Sequence, residues 1–159
     1  MCIRDSPIMD MDTFYYDNIP NLSGMIKSKK DGRAIRFISS HTTPPLFNVA
    51  YEHMRKHLQT IADYANQITT PIITLGEYNA PPWWAEIQEL KEAANLYDSR
   101  RSAAYGFSDI FQMPVDYIFY SEHLNCIDFK PIYSKTSSHI GIMGSYQFNP
   151  INIYVAKEN

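Results

Sequence analysis

Two histidines, two carboxylates and one amide stand at the ends of short apolar runs in this chain. His41 follows the run Ala34–Ser40, and Glu77 and Asn79 follow the run Pro71–Leu75. Asp116 opens the run that reaches Tyr120, and His139 opens the run Ile140–Phe148. A carboxylate can take a proton from water or hold a divalent cation. An amide donates to an anionic oxygen, and an imidazole oriented by a carboxylate moves a proton. If the first two runs are parallel strands and the later two run against them, all five side chains meet on one rim of a sheet. Such a rim is suited to metal-assisted hydrolysis.

The elements that must position these groups are legible in outline. Residues 7–24 have no clear period and read as an irregular opening segment, and Met25–Lys29 as a short strand. Lys30-Asp31-Gly32-Arg33 predicts a hairpin with a type I′ turn, and Ala34–Ser40 the strand after it. Met54, Leu58, Ile61, Ala65 and Ile68 recur at helical spacing, which predicts a helix over 49–67 capped by Asn48. Pro71–Leu75 is apolar enough for a strand buried on both faces. A second helix should start after Pro81-Pro82 and end near Asn95, with Trp84, Ile87, Leu90 and Ala94 facing inward. Residues 98–113 read as a loop. Val115–Tyr120, Asn125–Ile132 and Ile140–Phe148 read as strands, the last with Gly141 and Gly144 marking close approach or a bulge. Ile151–Val155 alternates as an edge strand would.

Bulk properties suit one globular domain: 159 residues, 45% hydrophobic, 19% charged. The net charge of −3 announces no basic nucleic-acid surface. Twelve Tyr and eight Phe read as core and groove walls. Cys2 and Cys126 alone imply no disulfide framework. No stretch is apolar for the length a membrane span needs. The opening Met1-Cys2-Ile3-Arg4-Asp5-Ser6 lacks the apolar stretch of a signal peptide. Residues 1–6 look like a translated sequencing-adapter scar, a genuine but unusual N-terminus being the alternative. Residues 7–159 are expected to be the C-terminal part of one domain.

Four local patterns, in order, resemble the endonuclease/exonuclease/phosphatase superfamily. Ser39-Ser40-His41-Thr42-Thr43-Pro44-Pro45 resembles its His-bearing strand end, in the branch where a double Pro follows. Leu75-Gly76-Glu77-Tyr78-Asn79-Ala80 resembles its Gly-Asp-Phe-Asn-Ala. Pro114-Val115-Asp116-Tyr117-Ile118 resembles its Asp-bearing strand, and Ser137-Ser138-His139 its terminal Ser-Asp-His. Leu96-Tyr97-Asp98-Ser99-Arg100-Arg101 matches the segment after the second helix. The resemblance implies an α/β fold, the four-layer α-β-β-α sandwich of the deoxyribonuclease I-like type, truncated at its N-terminus. This chain would supply one sheet and part of its partner, and would expose an apolar face.

The resemblance further implies Mg²⁺- or Mn²⁺-dependent hydrolysis of a phosphodiester or phosphomonoester. His41 and Asn79 would hydrogen-bond the phosphate, and Glu77 would orient or deprotonate water. Asp116 would hold His139, which would contact phosphate or move a proton. Glu77, Asn79 and the Ser138 position would lie toward the metal. Glu77 and Ser138 both stand where the family has Asp. No match for the family's principal metal-binding Glu, or for its early Asn, is found in residues 7–30. The substrate stays open among DNA, RNA, inositol phosphates and lipid headgroups. The double-Pro branch implies a membrane-anchored bacterial parent, a cytoplasmic one being the alternative, and a monomer is expected.

Blander expectations stand beside these. His53 and His57 are spaced for zinc but lack the zinc-protease Glu, and read as surface histidines. His123 reads as a turn residue. Trp83-Trp84 reads as packing for the second helix, with a groove role for Trp83 as the alternative. Lys27, Lys29, Lys30 and Arg33 read as a solvated turn. Arg100 and Arg101 read equally as phosphate ligands or a solvated loop. For the whole, the alternatives are a catalytically impaired relative that binds a phosphate ligand or a protein, and an interaction module whose His41 and His139 lie far apart.

Overall fold

The computed structural model of the chain describes residues 8–100, 114–132 and 141–150. Eight strands and two helices lie in these stretches: β1 (Ile8–Tyr16), β2 (Ile19–Lys27), β3 (Ala34–His41), α1 (Asn48–Asn66), β4 (Ile72–Glu77), α2 (Ala85–Ala93), β5 (Leu96–Asp98), β6 (Asp116–Ser121), β7 (Leu124–Ile132) and β8 (Gly141–Phe148). A six-stranded sheet has the order β1-β2-β3-β4-β6-β5, and β7 and β8 form a two-stranded sheet. The pair β3–β4 is parallel and joined through α1; β6 runs antiparallel to β4. The strand directions expected at the rim are therefore present for His41, Glu77 and Asp116.

Alternation along the strands divides the large sheet into two faces. Ile38, Ile72, Thr74, Tyr117 and Phe119 point to the helical side and are buried there. Met54, Leu58, Ile61, Ala62 and Ala65 of α1 and Ile87 and Leu90 of α2 complete that core. Each fully buried Ile, Leu or Phe contributes roughly 1.5–3 kcal/mol. On the opposite face, Ile35, Ile73 and Tyr120 pack with Leu124, Cys126, Phe129, Tyr146 and Phe148 of the small sheet. Three of the four expected layers are thus seen among the described residues: helices, large sheet, small sheet. The small sheet covers that face only in part. Leu22 is 45% exposed and Leu75 36%, so an apolar strip lies open, as expected.

Several local expectations are corrected. The segment read as irregular, 7–24, holds β1 and most of β2, an antiparallel pair with a register shift between Met9 and Asp12; the strand expected from Met25 is the end of β2. Polar residues on the exposed β1 strand hid its period. The loop after β2 is not a type I′ turn, which needs two positive φ angles. It runs from Ser28 to Arg33, and within it only Gly32 has positive φ (73°). Asn48 does not cap α1. Phe47 holds the cap position, and no side chain bonds the free N–H groups. Helix α2 starts at Ala85, three residues beyond Pro82, after a turn in which Trp84 N–H donates to Pro81 O at 3.0 Å. β4 is buried on one face rather than both, because the small sheet stops short of Leu75. Residues 96–98 form the short strand β5, so Asp98, where the expected loop begins, is still strand. Ile151–Val155, Arg101 and residues 137–139 lie outside the described residues.

Candidate active site

Three of the five chemical residues share one lateral row of the large sheet. His41 is paired with Glu77 across the β3–β4 ladder, and Glu77 with Asp116 across β4–β6. Residues opposite one another in a ladder point to the same face. That face is the one carrying Leu75 and Ile73, away from the helices. Neighbouring strands lie about 4.8 Å apart, so the row spans roughly 10 Å from His41 to Asp116. His41 Nδ1 is 3.8 Å from Glu77 Oε2; the His41 side chain is 67% exposed and that of Glu77 22%.

The chain beyond β4 brings Asn79 back to this row. Asn79 takes φ of 52°, the left-handed region that Asn tolerates. Its Nδ2 donates to Thr42 O at 2.6 Å, beside His41. Thr42 N–H donates to Glu77 O at 3.0 Å and Tyr78 N–H to Val115 O at 2.8 Å, which extends the ladder past the last strand residues. Tyr78 is fully buried and stacked on Tyr117, with ring centroids 5.6 Å apart. Tyr117 donates its hydroxyl to Ala80 O at 2.6 Å. Burial pushes both phenols up, so they stay neutral hydrogen-bonding groups. The two rings under the rim fix the turn that presents Asn79.

Gly76 makes the close approach possible. It has φ of +147°, and a Cβ there would sit 1.8 Å from Ser40 O. No side chain fits at this point of the β3–β4 ladder. The Gly before Glu77 is therefore a packing requirement, one residue from the carboxylate it positions.

Of the five candidates, His41, Glu77 and Asp116 stand in one row and Asn79 adjoins it. His139, with Ser138, falls outside the described residues. Arg100 is not a solvated loop residue: it is 4% exposed, lies 4.0 Å over the Tyr117 ring and donates to Pro114 O at 3.3 Å. It braces the start of β6. Arg33 likewise is tied down, over the Phe148 ring at 4.1 Å and in an ion pair with Asp31. Trp84 packs edge-on to Tyr51 at 6.0 Å, whereas Trp83 is 61% exposed and does not help to dock α2.

The histidines of α1 correct a further expectation. His57 is fully buried, not a surface residue. Its Nε2 lies 2.8 Å from Asn21 Oδ1, which requires the proton on Nε2. Burial, with smaller contributions from His53 and His41, lowers its pKa to about 4. His53 bridges Thr43 Oγ1 (3.1 Å) and Asp17 Oδ2 (2.9 Å), so it clasps the β1–β2 turn to the segment after His41. The sequence did not reveal this clasp, because Asp17 lies in a stretch that looked irregular. Thr42 was missed as well; it is fully buried, and its backbone bonds both Glu77 and Asn79.

Glu77, Asp116 and Asn79 offer the oxygen donors that Mg²⁺ or Mn²⁺ prefers. Among the described residues, however, no group of three or more His, Cys, Asp or Glu is arranged to hold a metal ion. The donor chemistry fits, and among the described residues the donor number falls short.

No family model and no curated protein matches the sequence. Solved structures do match. The human nocturnin catalytic domain with bound sulfate superimposes with a TM-score of 0.71 at 18% identity, over 92% of this chain and 61% of that one. An endonuclease/exonuclease/phosphatase family protein of Leptotrichia buccalis gives 0.67 at 23% identity, over 89% of this chain and 62% of that one. A mannosyl-6-phosphatase of Bacteroides thetaiotaomicron gives 0.64 at 15%, over 92% and 68%. The chain thus spans somewhat under two thirds of the first two. It has the endonuclease/exonuclease/phosphatase superfamily fold.

Proposed function

We propose that the chain carries the nucleophile-activating half of a Mg²⁺- or Mn²⁺-dependent phosphoesterase site that hydrolyses a phosphodiester or phosphomonoester with water. The observation that carries this reading is the lateral row His41–Glu77–Asp116 with Asn79 bonded beside it. The fold supports it too, since a structural neighbour is a phosphatase.

In this reading Glu77 accepts the proton of an attacking water, whose oxygen forms a bond to phosphorus. The phosphorus–oxygen bond to the leaving group breaks, and a proton reaches that oxygen through His139. His41 and one N–H of Asn79 donate to the phosphate oxygens; the other N–H of Asn79, on Thr42 O, orients the amide. Donors aimed at developing charge give the largest share of such catalysis. Asp116 orients His139. Glu77, Asn79 and Ser138 would face the cation, which when bound would neutralise phosphate charge. Completing that cation's shell needs donors outside the described residues. The substrate, a nucleic acid or a smaller ester, the monomeric state and the membrane-anchored or cytoplasmic setting of the complete protein belong to the same proposal.

The test is hydrolysis of bis(p-nitrophenyl) phosphate by the complete protein with Mg²⁺. Turnover above that of the Asn79→Ala, His139→Ala double variant is expected; equal turnover would end the reading. A catalytically impaired relative is the second reading, motivated by Glu77 and Ser138 in place of Asp. It requires Glu77→Asp with Ser138→Asp to create activity that the unaltered protein lacks.

A further inference from the structure

Three side chains from three parts of the fold meet beside the rim. Asp17 lies in the β1–β2 turn, His53 on α1 and Thr43 in the segment after β3. His53 Nε2 is 2.9 Å from Asp17 Oδ2, and its Nδ1 is 3.1 Å from Thr43 Oγ1. An ionised carboxylate only accepts, so Nε2 carries the proton, and the neutral ring accepts a hydrogen bond from the Thr43 hydroxyl at Nδ1. Asp17 has φ of 49°, a left-handed angle few residue types tolerate. The Tyr16 ring meets His53 edge-on, with centroids 4.6 Å apart, and holds the imidazole from a third side. The Asp17 side chain is 65% exposed, so the ion pair adds little to stability. Its consequence is orientation.

That orientation reaches the chemical row through one peptide plane. The carbonyl of Thr42 and the N–H of Thr43 belong to the same planar unit. Thr42 O accepts from Asn79 Nδ2 at 2.6 Å, and Thr42 N–H donates to Glu77 O at 3.0 Å. Thr43 precedes Pro44, which restricts its backbone to extended angles. With that rotation restricted, the hold on Thr43 Oγ1 sets where the Thr42 carbonyl points. We propose that His53 is a positioning residue for Asn79: Asp17 and His53 fix Thr43, and the shared peptide aims the carbonyl that orients the Asn79 amide. The β1–β2 turn thereby acts on the row without touching it. His57, one turn along α1, already fastens the hairpin to the helix, through Asn21 Oδ1 at 2.8 Å. Holding the hairpin therefore does not call for the second imidazole, whereas the bond to Thr43 does. The effect on turnover rests on the phosphoesterase reading of the row; the aiming of the amide does not.

The experiment sets the unaltered complete protein beside His53→Ala, Thr43→Val, Asn79→Ala and the His53→Ala, Asn79→Ala double variant. Each is assayed on bis(p-nitrophenyl) phosphate with Mg²⁺, and an NMR spectrum of the side-chain amides is recorded. His53 and Thr43 are partly exposed, so both variants should fold, as a thermal melt checks. In His53→Ala, kcat should fall about tenfold with KM within about twofold, because a misaimed donor weakens the transition state. In the Asn79→Ala background His53→Ala should lower kcat no further, since both act through one amide. A merely structural loss would multiply instead. The Asn79 side-chain N–H signals, identified by their absence from Asn79→Ala, should shift in His53→Ala and in Thr43→Val. Unchanged kcat, a rise in KM alone, or losses that multiply in full overturn the proposal. If His53→Ala does not fold, Thr43→Val carries the same comparisons. If the unaltered protein shows no turnover, the phosphoesterase reading falls and the amide spectrum decides: Asn79 signals unmoved in both variants overturn the positioning role.

Discussion

Glu77 reaches back toward His41 across a parallel ladder, Oε2 to Nδ1 at 3.8 Å. The separation is too long for a hydrogen bond and within ion-pair reach when the imidazole is protonated. Both groups sit on the last paired residues of their strands.

Replacing Glu77 by Gln keeps the shape and removes the charge. In the complete protein this should lower turnover of a phosphodiester by about a hundredfold, the usual weight of a positioned general base. Glu77 lies at the rim and not in the core, so the melting temperature should move little. Steady-state kinetics beside a thermal melt checks both halves. Turnover that survives Glu77→Gln would remove Glu77 from the chemistry.

Gly76→Ala is expected to be far more damaging to the fold than its size suggests. The new methyl meets Ser40 O at 1.8 Å, and the φ of +147° is one that L-residues rarely adopt. Strain and overpacking together should cost at least about 3 kcal/mol. Urea denaturation measures this directly. A loss under about 1 kcal/mol would mean the β3–β4 ladder can relax at this point.

Asn79 should show a graded response. Asn79→Gly keeps the left-handed backbone and loses the bond to Thr42 O. Asn79→Ala loses both, and should be the less stable by about 1 kcal/mol. Equal stabilities for the two variants would show that the backbone angle at 79 carries no strain.

His57 gives the chain an acid-sensitive core. Its folded pKa is lowered to about 4, against 6.5 for the free imidazole. The folded state therefore binds the proton less readily than the unfolded chain. Stability is full above about pH 6.5, falls as pH drops toward 4, and levels off below. The whole loss is up to about 3 kcal/mol. Denaturant melts at pH 7 and pH 4.5 should show most of it, and His57→Gln should abolish the difference. An unchanged pH slope in that variant would place the sensitivity elsewhere.

The helical layer and the central strands were legible because their periodicity is decided by burial. Ile61, Leu58 and Met54 recur where α1 faces the sheet, and Ile87 and Leu90 do the same for α2. The row at the rim was legible through residue types at strand ends, although the register that aligns His41 with Glu77 and Asp116 comes from pairing, which no local pattern encodes. The β1–β2 pair was not legible. β1 is largely exposed, and its short Met-Asp-Met-Asp alternation is lost in the Thr-Phe-Tyr-Tyr that follows, so no period runs the length of the strand. The fate of His57 was equally hidden, since its partner Asn21 lies 36 residues away on a strand that the sequence did not announce.

β5 pairs with β6 through only three residues, Leu96–Asp98. Asp116 thus depends on a strand with a short outer neighbour, and the row joins positions separated by 75 residues in the chain, from 41 to 116. Contacts so distant form late in folding and are sensitive to loss at an edge. Mild heat or denaturant should therefore unfasten the β5 margin first. The geometry around Glu77 would then dissolve while both helices still hold their shape.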